Sequence, residues 1–198
     1  MAVVVASGHV SDPVLESTRR RLTAKQADTV DRLGRAAVDL LSRDGFAGLT
    51  VRRVAAEAGV GAATAYTYFS SKEHLVAEVF WRRLASAPPA PHESDDRATR
   101  VIDVLQHISL LVAGEPEFAG AVTSALLGKD PDVEVLRQRI GLDIRARLAA
   151  ALGPAIDEDV IDSLEMLYAG ALVRAGMGYV SYQEIAQRLE KSARLILS

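Results

Sequence analysis

Two short helical segments separated by a glycine-containing turn constrain the fold of this chain more than any other part of its sequence. The first segment, VRRVAAEAG, follows Thr50, a residue type that favours helix starts, and it ends at Gly59. The second begins after only Val60 and Gly61 and extends over residues 62–69. Two short helices joined in this way are typical of a helix-turn-helix, whose second helix enters the major groove of DNA.

The second segment has the composition that a DNA-reading helix needs. Helical spacing places Ala65 and Phe69 on one face, where they can anchor the segment against the preceding helices. The outward positions and the small start of the segment supply five predicted DNA contacts: Ala63, Thr64, Tyr66, Thr67 and Tyr68. Threonine hydroxyls can bond to base edges, and tyrosine hydroxyls suit phosphate oxygens.

Neighbouring residues extend this predicted contact surface. Arg52 and Arg53 stand just after Thr50, at the start of the helix that would cross the phosphate backbone. Lys72 lies in the first turn of a fourth helix, whose terminal amides already favour a phosphate. We therefore add Thr50, Arg52, Arg53 and Lys72 to the predicted DNA-binding residues. His74 is expected to be exposed on the fourth helix.

The stretch LTVRRVAAEAGVGAATAYTYFSSKEHL, with AAVDLLSRDGF before it, resembles the N-terminal domain of the tetracycline-repressor (TetR-like) family. The likeness covers about residues 28–80. It rests on the Gly-Phe that ends the first helix, on Thr50, on the Ala-Gly-Val of the turn, on Tyr66, on the Tyr68-Phe69 pair and on Ser71-Lys72. Gly61 replaces the usual capping serine, and Ala65 replaces the usual leucine or isoleucine. The resemblance implies a DNA-binding regulator.

The remainder of the chain also predicts helices, and no stretch alternates apolar and polar residues as a half-buried strand would. An apolar face with helical spacing begins after Asp28, and residues 160–180 and 185–197 predict the last two helices. Three prolines in SAPPAPHESDD, residues 86–96, mark the clearest boundary. We predict an all-α chain with three parts: a flexible, basic-ended arm (1–23), a three-helix helix-turn-helix domain (24–87), and a helical ligand-binding and dimerisation domain (88–198).

The two halves of the chain differ in net charge, which agrees with different functions for them. The chain has a net charge of −3, but residues 1–86 carry +3 and residues 87–198 carry −6. Such asymmetry suggests that only the first half meets a polyanion such as DNA. The basic end of the arm, RRRL, can either enter the minor groove or add only general attraction.

The family resemblance implies a homodimer that binds a palindromic operator on double-stranded DNA. Each subunit would place one recognition helix in successive major grooves, about 34–36 Å apart. The last two helices would form the dimer interface, and close approach there is favoured by small residues: Ala169, Gly170, Ala171, Ala175, Gly176 and Gly178. The resemblance also implies a repressor whose DNA binding weakens when a small-molecule effector occupies the second domain.

The residues of the effector site are harder to predict than those of the DNA contact. Aromatic, thioether and imidazole side chains in the second domain give the candidate ligand-binding set: His107, Phe118, Met166, Tyr168 and Met177. Each is also a common core residue. Because this half is rich in leucine, valine, isoleucine and alanine, we expect an apolar effector, such as an acyl or polycyclic compound.

The sequence offers little support for an enzyme. Asp103 and His107 have a helical spacing that can hold a metal, but no further ligand accompanies them, so we predict neither a metal site nor a cofactor. Motifs of phosphate-binding loops and hydrolases are absent. With no signal-peptide pattern and no long apolar run, we expect a cytoplasmic protein with no membrane contact. The alternative function is a helical nucleic-acid-binding or interaction protein without sequence readout.

Overall fold

The computed structural model describes residues 23–90, 94–154 and 157–198, and within these ranges the chain forms helices and no strand. The all-α prediction is therefore confirmed. In chain order the described helices are α1 (Ala24–Gly48), α2 (Val51–Glu57), α3 (Ala62–Tyr68), α4 (Lys72–Ser86), α5 (Arg97–Leu110), α6 (Pro116–Leu127), α7 (Pro131–Leu152), α8 (Glu158–Gly176) and α9 (Tyr182–Leu197). Apart from Thr23, the predicted arm lies outside the described residues.

The first helix begins four residues earlier than its apolar face indicates. Thr23 Oγ1 accepts a hydrogen bond from the Gln26 backbone NH, and Gln26 Oε1 accepts one from the Thr23 backbone NH at 2.8 Å. This reciprocal capping box satisfies two amides that would otherwise lack partners, and it fixes the helix start at Ala24. The helical geometry is interrupted at Gly45, and the last turn continues to Gly48.

Helix α8 ends before the predicted limit at residue 180. Gly178 has φ of +76°, a conformation that glycine adopts without the steric cost of a side chain, and the chain turns there. Ser181 then caps α9 by accepting from the Glu184 backbone NH at 3.1 Å, while the Glu184 carboxylate accepts from the Ser181 backbone NH at 2.9 Å. These bonds hold the pKa of Glu184 below its ordinary value. The turn at Gly178 therefore ends α8, although the apolar pattern in the sequence continues to residue 180.

Gly176 of α8 packs closely against Thr123 of α6. A Cβ atom at this position would lie 2.6 Å from the Cβ and Oγ1 of Thr123, whose hydroxyl is within 3.2 Å of the Tyr182 hydroxyl. We expect Gly176→Ala to lower the free energy of unfolding by about 1–3 kcal/mol, because the packed helices must separate. Chemical denaturation measures this change. Gly141→Ala is the control, since a Cβ built at Gly141 meets no atom within 4 Å outside its own stretch of helix. The better helix propensity of alanine should stabilise the protein there by up to about 1 kcal/mol.

Helix α4 connects the first three helices to the remainder of the chain. It packs on α1 and also on α6 and α7. Near its C-terminal end, Arg83 pairs with Glu115 at 2.5 Å and lies over the ring of Phe118. Arg147 of α7 donates to the Leu84 carbonyl at 2.8 Å. The position of the helix-turn-helix relative to the second half is therefore set through α4 together with the direct packing of α1 on α6.

Candidate nucleic-acid interface

The helix-turn-helix is built by two short helices whose apolar residues point into a shared core. Thr50 caps α2 by accepting from the Arg53 backbone NH at 3.2 Å, and Val51, Val54 and Ala55 are buried. The turn passes through Gly59, whose φ of +64° disfavours residues with a side chain. It is closed by a 2.8 Å hydrogen bond from the backbone NH of residue 60 to the carbonyl of residue 55.

Helix α3 has one buried face and one exposed face. Ala65 and Phe69 are fully buried, as the helical spacing predicts. Ala63, Thr64 and Thr67 are exposed. Of the two threonine hydroxyl groups, that of Thr67 donates to the Thr64 carbonyl at 2.6 Å and keeps its lone pairs for accepting.

The tyrosines of α3 flank this exposed face. Tyr66 is 50% exposed, whereas Tyr68 is partly buried with its ring tilted against Phe69. Gly61 provides no side-chain hydrogen bond at the helix start, so the family's usual serine cap is missing here. Because no large side chain stands at this end, the backbone of the first turn is accessible from outside.

The predicted cations are not equally available to a ligand. Arg52 is exposed, and it forms no ion pair or hydrogen bond within the part of the chain that the structure describes. Arg53 pairs with Asp44 and donates to the Gly48 carbonyl at 2.6 Å. Lys72 Nζ donates to the Phe46 carbonyl at 2.8 Å and lies 4.3 Å from the centre of the Phe46 ring. Arg53 and Lys72 thus hold the C-terminal end of α1 against α2 and α4.

Lys72→Ala tests both the charge and this contact. We expect the substitution to weaken binding to specific and random DNA about equally and to lower the salt slope by about one unit, because one phosphate contact is lost. Binding titrations at several salt concentrations measure this slope. The loss of the bond to the Phe46 carbonyl should also lower the free energy of unfolding by about 1 kcal/mol. An unchanged salt slope would show that Lys72 supports α1 without contacting phosphate.

His74 is buried, so the expectation of an exposed histidine is wrong. Its side chain is 2% exposed and packs edge-on against Phe69, with ring centres 5.7 Å apart. Its Nδ1 lies 3.2 Å from the Ser70 hydroxyl. The cause is a tertiary contact, since the start of α4 faces the start of α7 and not solvent. Helical periodicity on α4 alone does not reveal this neighbour.

The candidate effector residues fall into two groups. Phe118 and Tyr168 are buried and His107 is partly buried, whereas Met166 and Met177 are 69% and 63% exposed. Met166 lines a shallow surface groove of about 340 Å³ between α8 and α9. The structure therefore does not place these five residues around one enclosed cavity.

Two of the candidate effector residues carry polar atoms that are buried in the second half, whereas the neighbouring polar residues Ser109 and Tyr182 were not predicted from the sequence. Tyr168 lies beside Ser109, and its hydroxyl forms no complete hydrogen bond with the described residues; the same holds for His107 Nε2. Burial raises the pKa of the Tyr168 hydroxyl, so this group stays protonated. Burial likewise raises the pKa of Tyr182. The signal in the sequence is weak, because single hydroxyls on helices are usually exposed.

The geometry described above defines a helix-turn-helix DNA-binding protein. Helix α3 is anchored by two buried apolar side chains and exposes threonine hydroxyls, and it follows the capped helix α2 and a tight turn at Gly59. A sequence model of the bacterial regulatory proteins of the tetR family matches residues 34–79, which include this whole motif.

Full-length relatives extend the assignment to the rest of the chain. An HTH-type transcriptional regulator of Mycobacterium tuberculosis (strain ATCC 25618 / H37Rv) is 42% identical over 200 residues, covering 95% of this chain and 94% of the relative. A regulator of the same description from Mycobacterium bovis has the same identity and coverage. The chain therefore belongs to the tetR family of transcriptional regulators and not to a family of enzymes.

Solved structures share the same fold. A TetR transcriptional regulator from Rhodococcus sp. RHA1 superposes with a TM-score of 0.71 at 20% identity, covering 87% of this chain and 97% of that chain. A TetR transcription regulator from Haloarcula marismortui gives a TM-score of 0.62 at 21% identity, covering 86% and 96%. Across the described ranges of this chain, none of the helices combines the length and apolar character that crossing a membrane requires.

Proposed function

We propose that this regulator is a homodimeric repressor that reads a palindromic operator with α3 of each subunit. The observation that carries the proposal is the division of α3 into a fully buried anchor face, Ala65 and Phe69, and an exposed hydroxyl face. A helix fixed in this way can be placed in the major groove without losing its own core contacts. Thr64 and Thr67 then face base edges, where hydroxyls and methyl groups discriminate between bases.

The remaining DNA contacts position the protein on the duplex. Thr50, Arg52 and Tyr66 stand beside the reading face, where an exposed side chain can reach phosphate oxygens. The backbone beside Ala63 can approach closely because that residue is small. Arg53, Tyr68 and Lys72 complete the proposed set; Arg53 and Lys72 would exchange or share their present carbonyl partners when phosphate is bound.

The last two helices offer a surface that a second copy of the chain can cover. Met166, Gly170 and Arg174 of α8 face Arg188 and Ser192 of α9 across the shallow groove. No atom lies within 4 Å of a Cβ built at Gly170, so a partner helix can approach its backbone. Leu195 follows on the same stripe of α9 and is largely exposed. Large exposed apolar side chains around a groove are typical of an interface.

The effector is proposed to be a small apolar molecule held inside the second half. Phe118, Tyr168 and His107 supply buried aromatic and polar surface for such a ligand. Met166 and Met177 are better assigned to the subunit interface, because both are largely exposed on or just after α8. Effector binding would release the operator, and the regulator would act in the cytoplasm, where its DNA is.

Selection of bound fragments from source DNA with the purified protein tests the proposal. We expect the recovered fragments to share a palindrome, and the protein to prefer it over random DNA by about 10³-fold or more at fixed salt. Equal binding to both would instead support a helical nucleic-acid-binding protein without sequence readout, which attracts DNA through counterion release alone. The family assignment favours the sequence-reading function.

A further inference from the structure

Two serines at the end of the recognition helix bond to two aspartates that lie about sixty residues further along the chain. Ser70 follows Phe69, the residue that terminates α3, and its hydroxyl donates to Asp132 Oδ2 at 2.5 Å. The Ser71 hydroxyl donates to Asp130 Oδ2 at 2.6 Å. We call these four residues the serine–aspartate junction. It joins the DNA-reading end of the molecule directly to the start of α7.

Each side of the junction is fixed within its own helix. Ser71 caps α4, since its Oγ accepts from the His74 backbone NH at 2.9 Å. Asp130 caps α7, since its Oδ1 accepts from the Asp132 backbone NH at 2.9 Å and from that of Val133 at 3.3 Å. The carboxylate therefore uses one oxygen for its own helix and the other for the partner helix. Neither side chain can rotate without breaking a cap, so the bond fixes the relation between the two helix starts.

The opposite ends of the same two helices are also joined. Arg147 of α7 donates to the Leu84 carbonyl of α4 at 2.8 Å, and its Nε pairs with Asp143 Oδ2 at 2.6 Å. Helices α4 and α7 therefore run side by side in the same direction, attached near both ends. Ser70 also connects the start of α7 to the end of α3.

We propose that Asp130 and Asp132 are positioning residues for operator recognition. The inference rests on the proposed reading of DNA by α3. These aspartates hold the recognition helix at the angle and depth that a palindrome requires, although they belong to the half of the chain that carries net negative charge. Their role is geometric, because a carboxylate close to the DNA-binding surface repels phosphate and so opposes binding by its charge.

Because of this repulsion, a charge role and a positioning role predict opposite changes in operator affinity when an aspartate is removed. If the aspartates act only through charge, removing one raises affinity for every DNA. If they position α3, removing one lowers affinity for the operator and leaves binding to random DNA unchanged or slightly stronger. A merely structural role in stability would change the unfolding midpoint without separating the two kinds of DNA.

The experiment measures binding of the full chain to its selected operator and to a random duplex of equal length, by fluorescence anisotropy at fixed salt. We expect Ser70→Ala and Asp132→Ala each to lower operator affinity about tenfold, as the loss of a hydrogen bond to a charged group allows. The double variant should fall by less than the sum of the two single variants, because the two residues share one hydrogen bond although Ser70 also lies 3.2 Å from His74 Nδ1. Ser70 is exposed, so its substitution leaves the core intact.

Asp130→Ser supplies a second test with a matched control. Serine caps helices about as well as aspartate, but its shorter side chain cannot reach Ser71. Asp157→Ser is the control, because Asp157 caps α8 through the Asp159 backbone NH and, among the described residues, forms no hydrogen bond to the start of α4. We expect only Asp130→Ser to lower operator affinity while thermal unfolding remains close to wild type for both.

Unchanged operator affinity in Ser70→Ala and Asp130→Ser would overturn the inference, as would a uniform rise in affinity for both duplexes. A wild-type protein that shows no preference for any sequence would overturn the proposed function, and the inference with it. A wild-type preference that survives in every variant would overturn the inference alone.

Discussion

Met166→Glu should convert the regulator to a monomer and lower its operator affinity by about 10²-fold or more. Met166 is 69% exposed and lines the groove between α8 and α9, where the second subunit is proposed to pack. In a two-fold interface the substitution brings two carboxylates towards each other, and each loses solvation there. A monomer retains only one half-site contact, so the gain from binding both half-sites together is lost.

Leu142→Glu is the matched control for this prediction. Leu142 is 67% exposed, nearly the same fraction as Met166, but it lies on the outer face of α7 and does not line the groove. The same change of charge and polarity should therefore leave the dimer and its operator affinity intact. Sedimentation velocity measures the assembly state, and anisotropy titration measures the affinity. A dimeric Met166→Glu protein, or equal dissociation of both variants, would contradict an interface at this groove.

Phe69→Ala should destabilise the helix-turn-helix by about 3–5 kcal/mol and abolish operator binding. Phe69 is fully buried at the end of α3, where its ring contacts Tyr68 and His74. Removing the ring leaves a cavity between the recognition helix and the start of α4, and the surrounding helices can collapse into it only in part. The small Ala65, one turn earlier, cannot replace the lost contacts. Chemical denaturation followed by circular dichroism measures the change.

Tyr66→Ala on the same helix separates stability from recognition. Tyr66 is 50% exposed, so its substitution should change the free energy of unfolding by no more than about 0.5 kcal/mol. It should still weaken DNA binding if the hydroxyl contacts phosphate. A small effect of Phe69→Ala on stability would show that α3 is held mainly by contacts other than this ring.

The local features of the fold were predictable from the sequence because neighbouring residues determine them. The spacing of Ala65 and Phe69 predicts the buried face of α3, and Thr50 and Gly59 predict the limits of α2. The missing cap at Gly61 is also a local property, and the structure confirms it. The early start of α1 was missed only because the capping box of Thr23 and Gln26 precedes the first apolar residue of the periodic face.

Contacts between distant segments could not be predicted in the same way. The burial of His74 and the junction of Ser70 with Asp132 depend on which helix faces the start of α4. The residues around these positions in the sequence do not indicate which helix that is. The exposure of Met166 has the same origin, because an apolar residue in a helical stripe can face either the core or a second subunit. Residue type alone does not distinguish these two surroundings.

The attachment of Arg53 and Lys72 to carbonyls of α1 has a consequence for how the regulator searches a genome. Both cations already face negative charge, from the carbonyl groups of Gly48 and Phe46 and, for Arg53, from the carboxylate of Asp44. Their attraction to an arbitrary phosphate is reduced by the partners they must leave or share. We expect the protein to dissociate quickly from unrelated DNA, so that a larger fraction of its molecules remains free to find the operator.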